Sequence, residues 1–242
     1  MNDSILGLDL ATRRYRDIGI AILQEEGKQI NCQFLRPSDH QLADPPIVEA
    51  LADYIAQIAD NYGVRLIAID GPQAWKAPDN GLEHQRVSEK ALRTQAKTGL
   101  WGLCKPQSSL RFVRFAIDFY MALEARGWQR QNSAAAMYEK CVIEVFPTAA
   151  WRALGVKALP AKPACSNEMV AHWLSYLPRH FPIHLEQTPT HDELQALMAG
   201  LVGWAFAQQR GYQSYGHAPQ WVDGHWQEGF IVNLEGSRFN EV

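Results

Sequence analysis

Asp9 stands inside the apolar run SILGLDLA, Asp70 closes VRLIAID, and Glu144 lies within CVIEV. Strands of this kind normally carry Val, Ile or Leu at such positions. An isolated ionised carboxylate is so costly to bury that it neutralises, pairs with a cation or binds a metal. A fourth acid, Asp192, opens the segment THDELQALMAGLVGWAFAQQRG. Brought together, the four carboxylates would form an oxygen cage suited to Mg²⁺ or Mn²⁺, hard cations that prefer carboxylates and water. Each acid also has a plainer reading. Asp192 in a first helical turn favours the helix dipole whatever else it does. Glu144 can pair with Lys140, and Asp9 and Asp70 can accept from a backbone amide or an arginine.

The elements that must position these acids follow from patterning. ILGLDLA and DIGIAILQEEGKQINCQFL give three strands joined by short turns, an antiparallel meander. DPPIVEALADYIAQIADNYG predicts a helix capped by Asp44, with Pro45 in its first turn and Ile47, Leu51, Ile55 and Ile58 on one stripe. VRLIAIDGP is a continuous apolar run, expected as a central strand covered on both faces and parallel to its neighbour. Asp70 then sits at the C-terminal edge of the sheet, where open α/β sheets bind ligands. Residues 82–97 and SSLRFVRFAIDFYMALEARG read as helices, the second capped by Ser108 or Ser109 and ended by Gly127.

YEKCVIEVFPTAAW is a further strand, stopped by Pro147. A capping box of Thr190 and Glu193 starts the long C-terminal helix, whose Ala196, Ala199, Gly200 and Gly203 permit close approach to a sheet. The tail predicts a hairpin pairing QWV with EGFIVNL around Asp223-Gly224. VKALPAKPAC is too short for an interdomain linker, and no repeat appears. The expectation is one α/β domain over 1–242, with a helical insertion around 80–130 and a C-terminal hairpin extension.

The 242 residues are 47% hydrophobic, enough for a sizeable core. A formal net charge of −3 gives no global attraction to nucleic acid, so any such binding needs a local basic patch. No run is apolar for the roughly 18 residues a membrane span needs, and MNDSILGLDL has no signal-peptide pattern, so a cytoplasmic protein is expected. Cys32, Cys104, Cys141 and Cys165 are scattered without a C-x-x-C pair and read as reduced, mostly buried thiols.

Taken in order, the meander with Asp9 in GLDLAT, AIDGP at Asp70, IEVFP at Glu144 and HDELQAL at Asp192 resemble the predicted RNase H-like nucleases of domain-of-unknown-function family 429. RVSEKALRTQ is similar to that family's Arg-x-x-Glu-x-x-x-Arg segment, and EGFIVNL extends the likeness over nearly the whole chain. The sequence departs from the pattern where TQAKTG follows Arg93, a place the family more often fills with Gly.

The resemblance implies an RNase H-like fold: a mixed five-stranded central sheet, antiparallel meander plus parallel strands, with helices on both faces. It also implies a metal-dependent nuclease with Asp9, Asp70, Glu144 and Asp192 as catalytic acids. Asp9, Asp70 and Asp192 would bind two ions of Mg²⁺ or Mn²⁺ about 4 Å apart, one activating a water and the other stabilising the leaving oxygen. Asp9 would bridge the ions, Glu144 would complete the shell or orient the water, and His191 is a candidate proton shuttle.

A nuclease must also hold phosphates. Arg86, Lys90, Arg93 and Lys97 recur at helical spacing, and Arg13, Arg14 and Arg16 follow the first strand. Arg86, Arg93 and Arg13 are the expected substrate-binding residues, against the plainer reading of a solvated face partnered by Glu83 and Glu89. Trp75 and Trp101 can stack on bases or fill a core.

Two rivals share features with this reading. An ATP-dependent phosphotransferase of the actin-like and sugar kinase superfamily opens with the same meander and early Asp, but it needs a second related domain and Gly-rich phosphate loops. No second G-x-D-x-G-x-T-like strand occurs near the middle of the chain. A catalytically inactive RNase H-like binding module would keep the fold without specific metal affinity.

Overall fold

Ile5, Ala21, Leu66 and Ile143 face one side of a single sheet, while Leu6, Ile20, Ile67 and Val142 face the other. Strands with apolar residues on both faces must be covered twice, and helices cover them here. The computed structural model of the chain describes residues 4–37, 42–135 and 139–236. In chain order the elements are β1 (Ser4–Asp9), β2 (Gly19–Glu26), β3 (Gln29–Leu35), α1 (Val48–Tyr62), β4 (Val64–Asp70), α2 (Val87–Leu92), β5 (Lys97–Thr98), β6 (Cys104–Lys105), α3 (Leu110–Glu124) and β7 (Gln129–Arg130). There follow β8 (Cys141–Val145), α4 (Pro147–Ala153), α5 (Asn167–Leu174), β9 (Ile183–Leu185), α6 (His191–Ala207), β10 (Tyr212–Tyr215), β11 (Gln220–Val222), β12 (His225–Gln227) and β13 (Ile231–Leu234).

The main sheet runs β10-β13-β8-β4-β1-β2-β3-β9, with β7 also beside β8. Its centre is the expected arrangement: β1, β2 and β3 form an antiparallel meander, and β4 and β8 add in parallel. The expected five strands are corrected to nine. Ile183–Leu185 adds β9 alongside β3, and IVNL of the tail pairs with β8 instead of with QWV. The tail hairpin is therefore β11 with β12, turning through Asp223 (φ 49°) and Gly224 (φ 79°). IVNL leaves the hairpin because all four of its residues are buried in the main sheet.

Two further expectations change. Residues 82–97 do not form one helix: α2 ends at Leu92, Arg93 adopts a left-handed conformation (φ 55°), and Lys97 enters a short hairpin with β6. Asp44 does not cap α1; its Oδ1 accepts from the Tyr15 backbone N–H at 2.6 Å. Among the described residues no helix is long and apolar enough to cross a membrane. None of the four cysteines is in a disulfide, and three of them are buried.

The two faces differ in how closely their helices approach. Helices α1 and α3 pack through ordinary apolar side chains such as Leu51, Ile55, Phe119 and Leu123. On the other face α6 lies almost on the backbone of β1 and β2. A Cβ on Gly7 would stand 2.0 Å from the Ala196 carbonyl oxygen, and one on Gly19 would stand 2.1 Å from that of Asp192. Only glycine tolerates such contact. Gly19 is the cross-strand partner of Asp9, so this close approach brings the start of α6 beside Asp9.

Candidate active site

Asp9 and Asp70 end β1 and β4, which run parallel, and they are partners in the β1–β4 register. Side chains alternate along a strand. Asp9 therefore shares the face of Ile5, and Asp70 that of Leu66 and Ala68, all of which pack toward α6. Both carboxyls are half-buried, and among the described residues neither has a cation at ion-pair distance. Burial, then the neighbouring Asp70 and Asp192, push the Asp9 carboxyl well above the usual carboxylate range, with Lys162 pulling the other way. Burial, then Glu144, push Asp70 up to about 7.

Asp192 sits in the first turn of α6, behind an N-cap in which Thr190 accepts from the Glu193 N–H and Glu193 accepts from that of Thr190. The expected capping box is present. The Asp192 carboxylate is buried and engaged: Lys162 Nζ donates to its Oδ2, and His191 Nδ1 lies 3.0 Å from Oδ1. Lys162 also reaches Asp17 Oδ1 at 2.8 Å. His191 Nε2 lies 2.9 Å from the Pro160 carbonyl, to which it must donate, so the imidazole clamps the 155–166 loop onto α6. Lys162 is a residue that sequence reasoning passed over, because a lysine in a proline-containing loop carries no distinguishing signal.

Glu144 belongs to a different environment. Val142 faces α1 and α3 while Ile143 and Val145 face α6, so alternation turns Glu144 away from the side that Asp9 and Asp70 share. Its partner is Arg86, not Lys140, which pairs with Asp60. The Arg86 guanidinium is 0% exposed and meets Glu144 in a two-pronged contact, Nη2 to Oε1 at 2.5 Å and Nη1 to Oε2 at 2.8 Å. Arg86 Nη2 also lies 3.3 Å from Glu89, and the Gln73 N–H donates to Glu144 at 2.9 Å.

Burial opposes the Arg86 charge, but Glu144 and Glu89 outweigh it and raise the pKa. Burial raises that of Glu144 against the pull of Arg86 and the Gln73 amide. Glu89 in turn accepts from Thr98, so this cluster holds the 86–98 segment onto the sheet. Arg86 does line a cavity beside Asp70, but the expectation of a solvated phosphate ligand is corrected: its side chain is buried and its donors are engaged by Glu144 and Glu89. The wider helical stripe is corrected with it, since Lys97 lies outside α2. Arg93 caps α2 at the surface, and Arg13 is exposed on the loop just after β1.

A cavity of about 350 Å³ opens between the two groups, lined by Asp70, Gly71, Glu144, Thr148 and the 94–98 and 106–112 segments. Among the described residues no group of three or more His, Cys, Asp or Glu side chains is placed to hold a metal ion. The donor chemistry of Asp9 and Asp70 still fits a hard divalent cation. They are adjacent oxygen ligands and, among the described residues, neither has a cation at ion-pair distance; Mg²⁺ is commonly held by one or two carboxylates plus water and substrate phosphate. Asp192 joins such a set only if it gives up Lys162.

No protein-family model matches the chain, so the likeness to domain-of-unknown-function family 429 stands on its motifs alone. No curated protein matches it either. Among solved structures it is similar to Thermus thermophilus RuvC, at 14% identity and a TM-score of 0.40, covering 85% of this chain and 95% of that one. It is also similar to T. thermophilus RuvC in complex with a Holliday junction substrate, at 12% identity and a TM-score of 0.39, again covering 85% and 95%. These likenesses are remote.

Proposed function

We propose that the chain is a metal-dependent nuclease that hydrolyses phosphodiester bonds of nucleic acid at Asp9 and Asp70. The observation that carries this reading is the pairing of two half-buried carboxylates at the C-terminal ends of adjacent parallel strands, with raised pKa values and, among the described residues, no cation at ion-pair distance. A structural role gives no reason to keep two repelling acids side by side. Asp9 and Asp70 would hold Mg²⁺ or Mn²⁺. Such an ion, when bound, supplies Lewis-acid polarisation of a phosphoryl oxygen and lowers the pKa of a bound water.

The chain's own residues do the rest. The cavity beside Asp70 shelters the reacting phosphate from bulk water and has room for part of a nucleotide. Asp192 and Lys162 put a fixed ion pair at the edge of the acids, and a second ion would require Lys162 to leave Asp192. Glu144 acts through position, by fixing with Arg86 the segment that walls the cavity. Arg13, exposed just past β1, and Arg93, exposed at the end of α2, are the expected basic residues still available for a phosphate.

The test is a cleavage screen over labelled single-stranded and duplex DNA and RNA with Mg²⁺, Mn²⁺ or chelator, comparing the parent with Asp9→Asn and Asp70→Asn. Metal-dependent cleavage by the parent, lost in both variants, supports the reading. A parent that cuts nothing, or variants that cut equally well, would overturn it.

A further inference from the structure

The hairpin formed by β5 and β6 has an unusual tip. Leu100, Trp101 and Leu103 are 41%, 68% and 56% exposed, whereas Trp75, the other tryptophan weighed for stacking, is 4% exposed and belongs to the core. The hairpin's base, at Thr98 and the adjoining Pro106, lines the cavity beside Asp70. Only Gly99 and Leu100 separate Thr98 from Trp101, at most about 11 Å of chain from Cα to Cα. The indole is thus held within a short length of chain of the cavity.

A second hairpin meets the first. His225 of β12 stacks on Trp101, with ring centroids 6.0 Å apart and planes inclined by 28°. Trp221 of β11, 51% exposed, stands edge-on to Trp226 at 5.4 Å. Trp226 is anchored: its ring stacks under the Arg130 guanidinium, its Nε1 donates to Glu124, and its carbonyl accepts from the Trp75 N–H. The exposed indoles therefore rest on a fixed support, which lowers the entropic cost of stacking a ligand on them.

Basic side chains accompany the aromatic ones. Lys105 is exposed on β6 itself. Arg114, one turn into α3, points its guanidinium toward Gly102 at the hairpin tip, with Asp118 as the acid one turn further on. Arg111, a turn before Arg114, is also exposed and bonds to the Thr12 carbonyl, on the loop that carries Arg13. Positive charge thus runs from the hairpin tip to the loop after Asp9, on a molecule whose net charge is −3.

The geometry points to the paired hairpins as a platform for a single-stranded segment of nucleic acid, its bases stacked on Trp101 and its phosphates met by Lys105, Arg114 and Arg111. Exposed aromatic faces bind bases that are free of a duplex stack, and flanking cations track the backbone. The cations that flank the indoles favour this occupant, because its phosphates meet them while its bases stack; a second copy of the chain seated on the exposed apolar tip is the competing outcome of the test. The platform deepens the nuclease reading by naming its substrate as a single strand or an unpaired segment, and it rests on that reading only for what happens after binding.

Binding is therefore measured without catalysis. In chelator, fluorescence anisotropy of labelled single-stranded and duplex DNA and RNA is followed against the full chain, with Asp9→Asn as a second background. The expected result is preference for single strands, a loss of about five- to hundredfold in Trp101→Ala, and substantial recovery in Trp101→Phe. Lys105→Ala and Arg114→Ala should each flatten the log K against log salt slope by about 0.7. Trp101→Ala binding as tightly as the parent, or duplex bound more tightly than single strand, overturns the platform. So does a dimer in sedimentation that Trp101→Ala dissolves. Binding with no cleavage of any substrate would instead count against the nuclease reading and leave the platform standing.

Discussion

Two groups of buried acid lie on either side of the same strand ends, and they are built to opposite rules. In one, Glu144 and Glu89 close around Arg86 so completely that the guanidinium has no exposed surface, and backbone amides of Gln73 and Thr98 donate to the same two carboxylates. In the other, Asp9 and Asp70 face each other and, among the described residues, neither has a cation at ion-pair distance, while Asp192 at their border is paired. A satisfied network fixes structure, since its charges have nothing left to offer a ligand. An unsatisfied one stores repulsion that a bound cation relieves. On the proposed reading the contrast leaves Glu144 to hold the fold and gives the chemistry to Asp9 and Asp70, although all three look alike in sequence.

The hardest way to break the closed group is Arg86→Met, which strands two buried carboxylates. It should cost about 3–5 kcal/mol, lowering Tm in a thermal melt by roughly 6–20 °C at about 2–4 °C per kcal/mol. A near-parental Tm would mean that the network is not holding the 86–98 segment. In the open group, Asp9→Asn and Asp70→Asn should reduce metal-dependent cleavage by about a hundredfold or more, roughly 3 kcal/mol of barrier, while Tm in chelator stays level or rises. Unfolding of either variant would place these acids with Glu144 as structural.

The pH dependence sharpens the difference. Asp70 is raised from its ordinary value near 4 to about 7 in the folded chain. Between those values the folded state holds a proton the unfolded state has released, so the contribution to stability is full at low pH and is lost as pH rises through that window. In chelator, the Tm advantage of Asp70→Asn over the parent should therefore grow from pH 4 to 7 and level off above it. That rise in pKa corresponds to at most about 4 kcal/mol, and solvent at this half-buried carboxyl reduces it, so an advantage of several degrees is expected. An advantage that shrinks as pH rises would contradict the assignment.

The smallest effect belongs to the border. Lys162 is half exposed, so Lys162→Met should change stability by no more than about 1 kcal/mol. It should nonetheless add a second, weaker equivalent of Mn²⁺ in calorimetry by releasing Asp192. Unchanged stoichiometry would show that Asp192 is not a latent ligand.

Much of this was legible in the sequence, and the failures share a cause. A carboxylate inside an apolar run is conspicuous, so Asp9, Asp70 and Glu144 stood out, and the central meander with its parallel additions followed from short turns and one helical crossover. What separates Glu144 from the aspartates is an arginine 58 positions away and the strand face it occupies, neither of which CVIEV reveals. Arg86, Lys90, Arg93 and Lys97 have helical spacing, but spacing cannot show that Arg93 turns left-handed and ends the helix. The tail's IVNL reads equally well as a hairpin arm or a sheet strand, and only the open edge of β8 decides between them. Asp192 was visible as a helix-start acid, but its proximity to Asp9 depends on Gly7 and Gly19 letting α6 settle against the backbone.

The most direct test of the division between the two groups is Mn²⁺ binding by calorimetry to the parent, Asp9→Asn, Asp70→Asn and Glu144→Gln, each first shown to be folded. Binding to the parent and Glu144→Gln, with loss in both aspartate variants, is the predicted result. Binding that survives both aspartate substitutions, or that is absent from the parent at millimolar Mn²⁺, would contradict it.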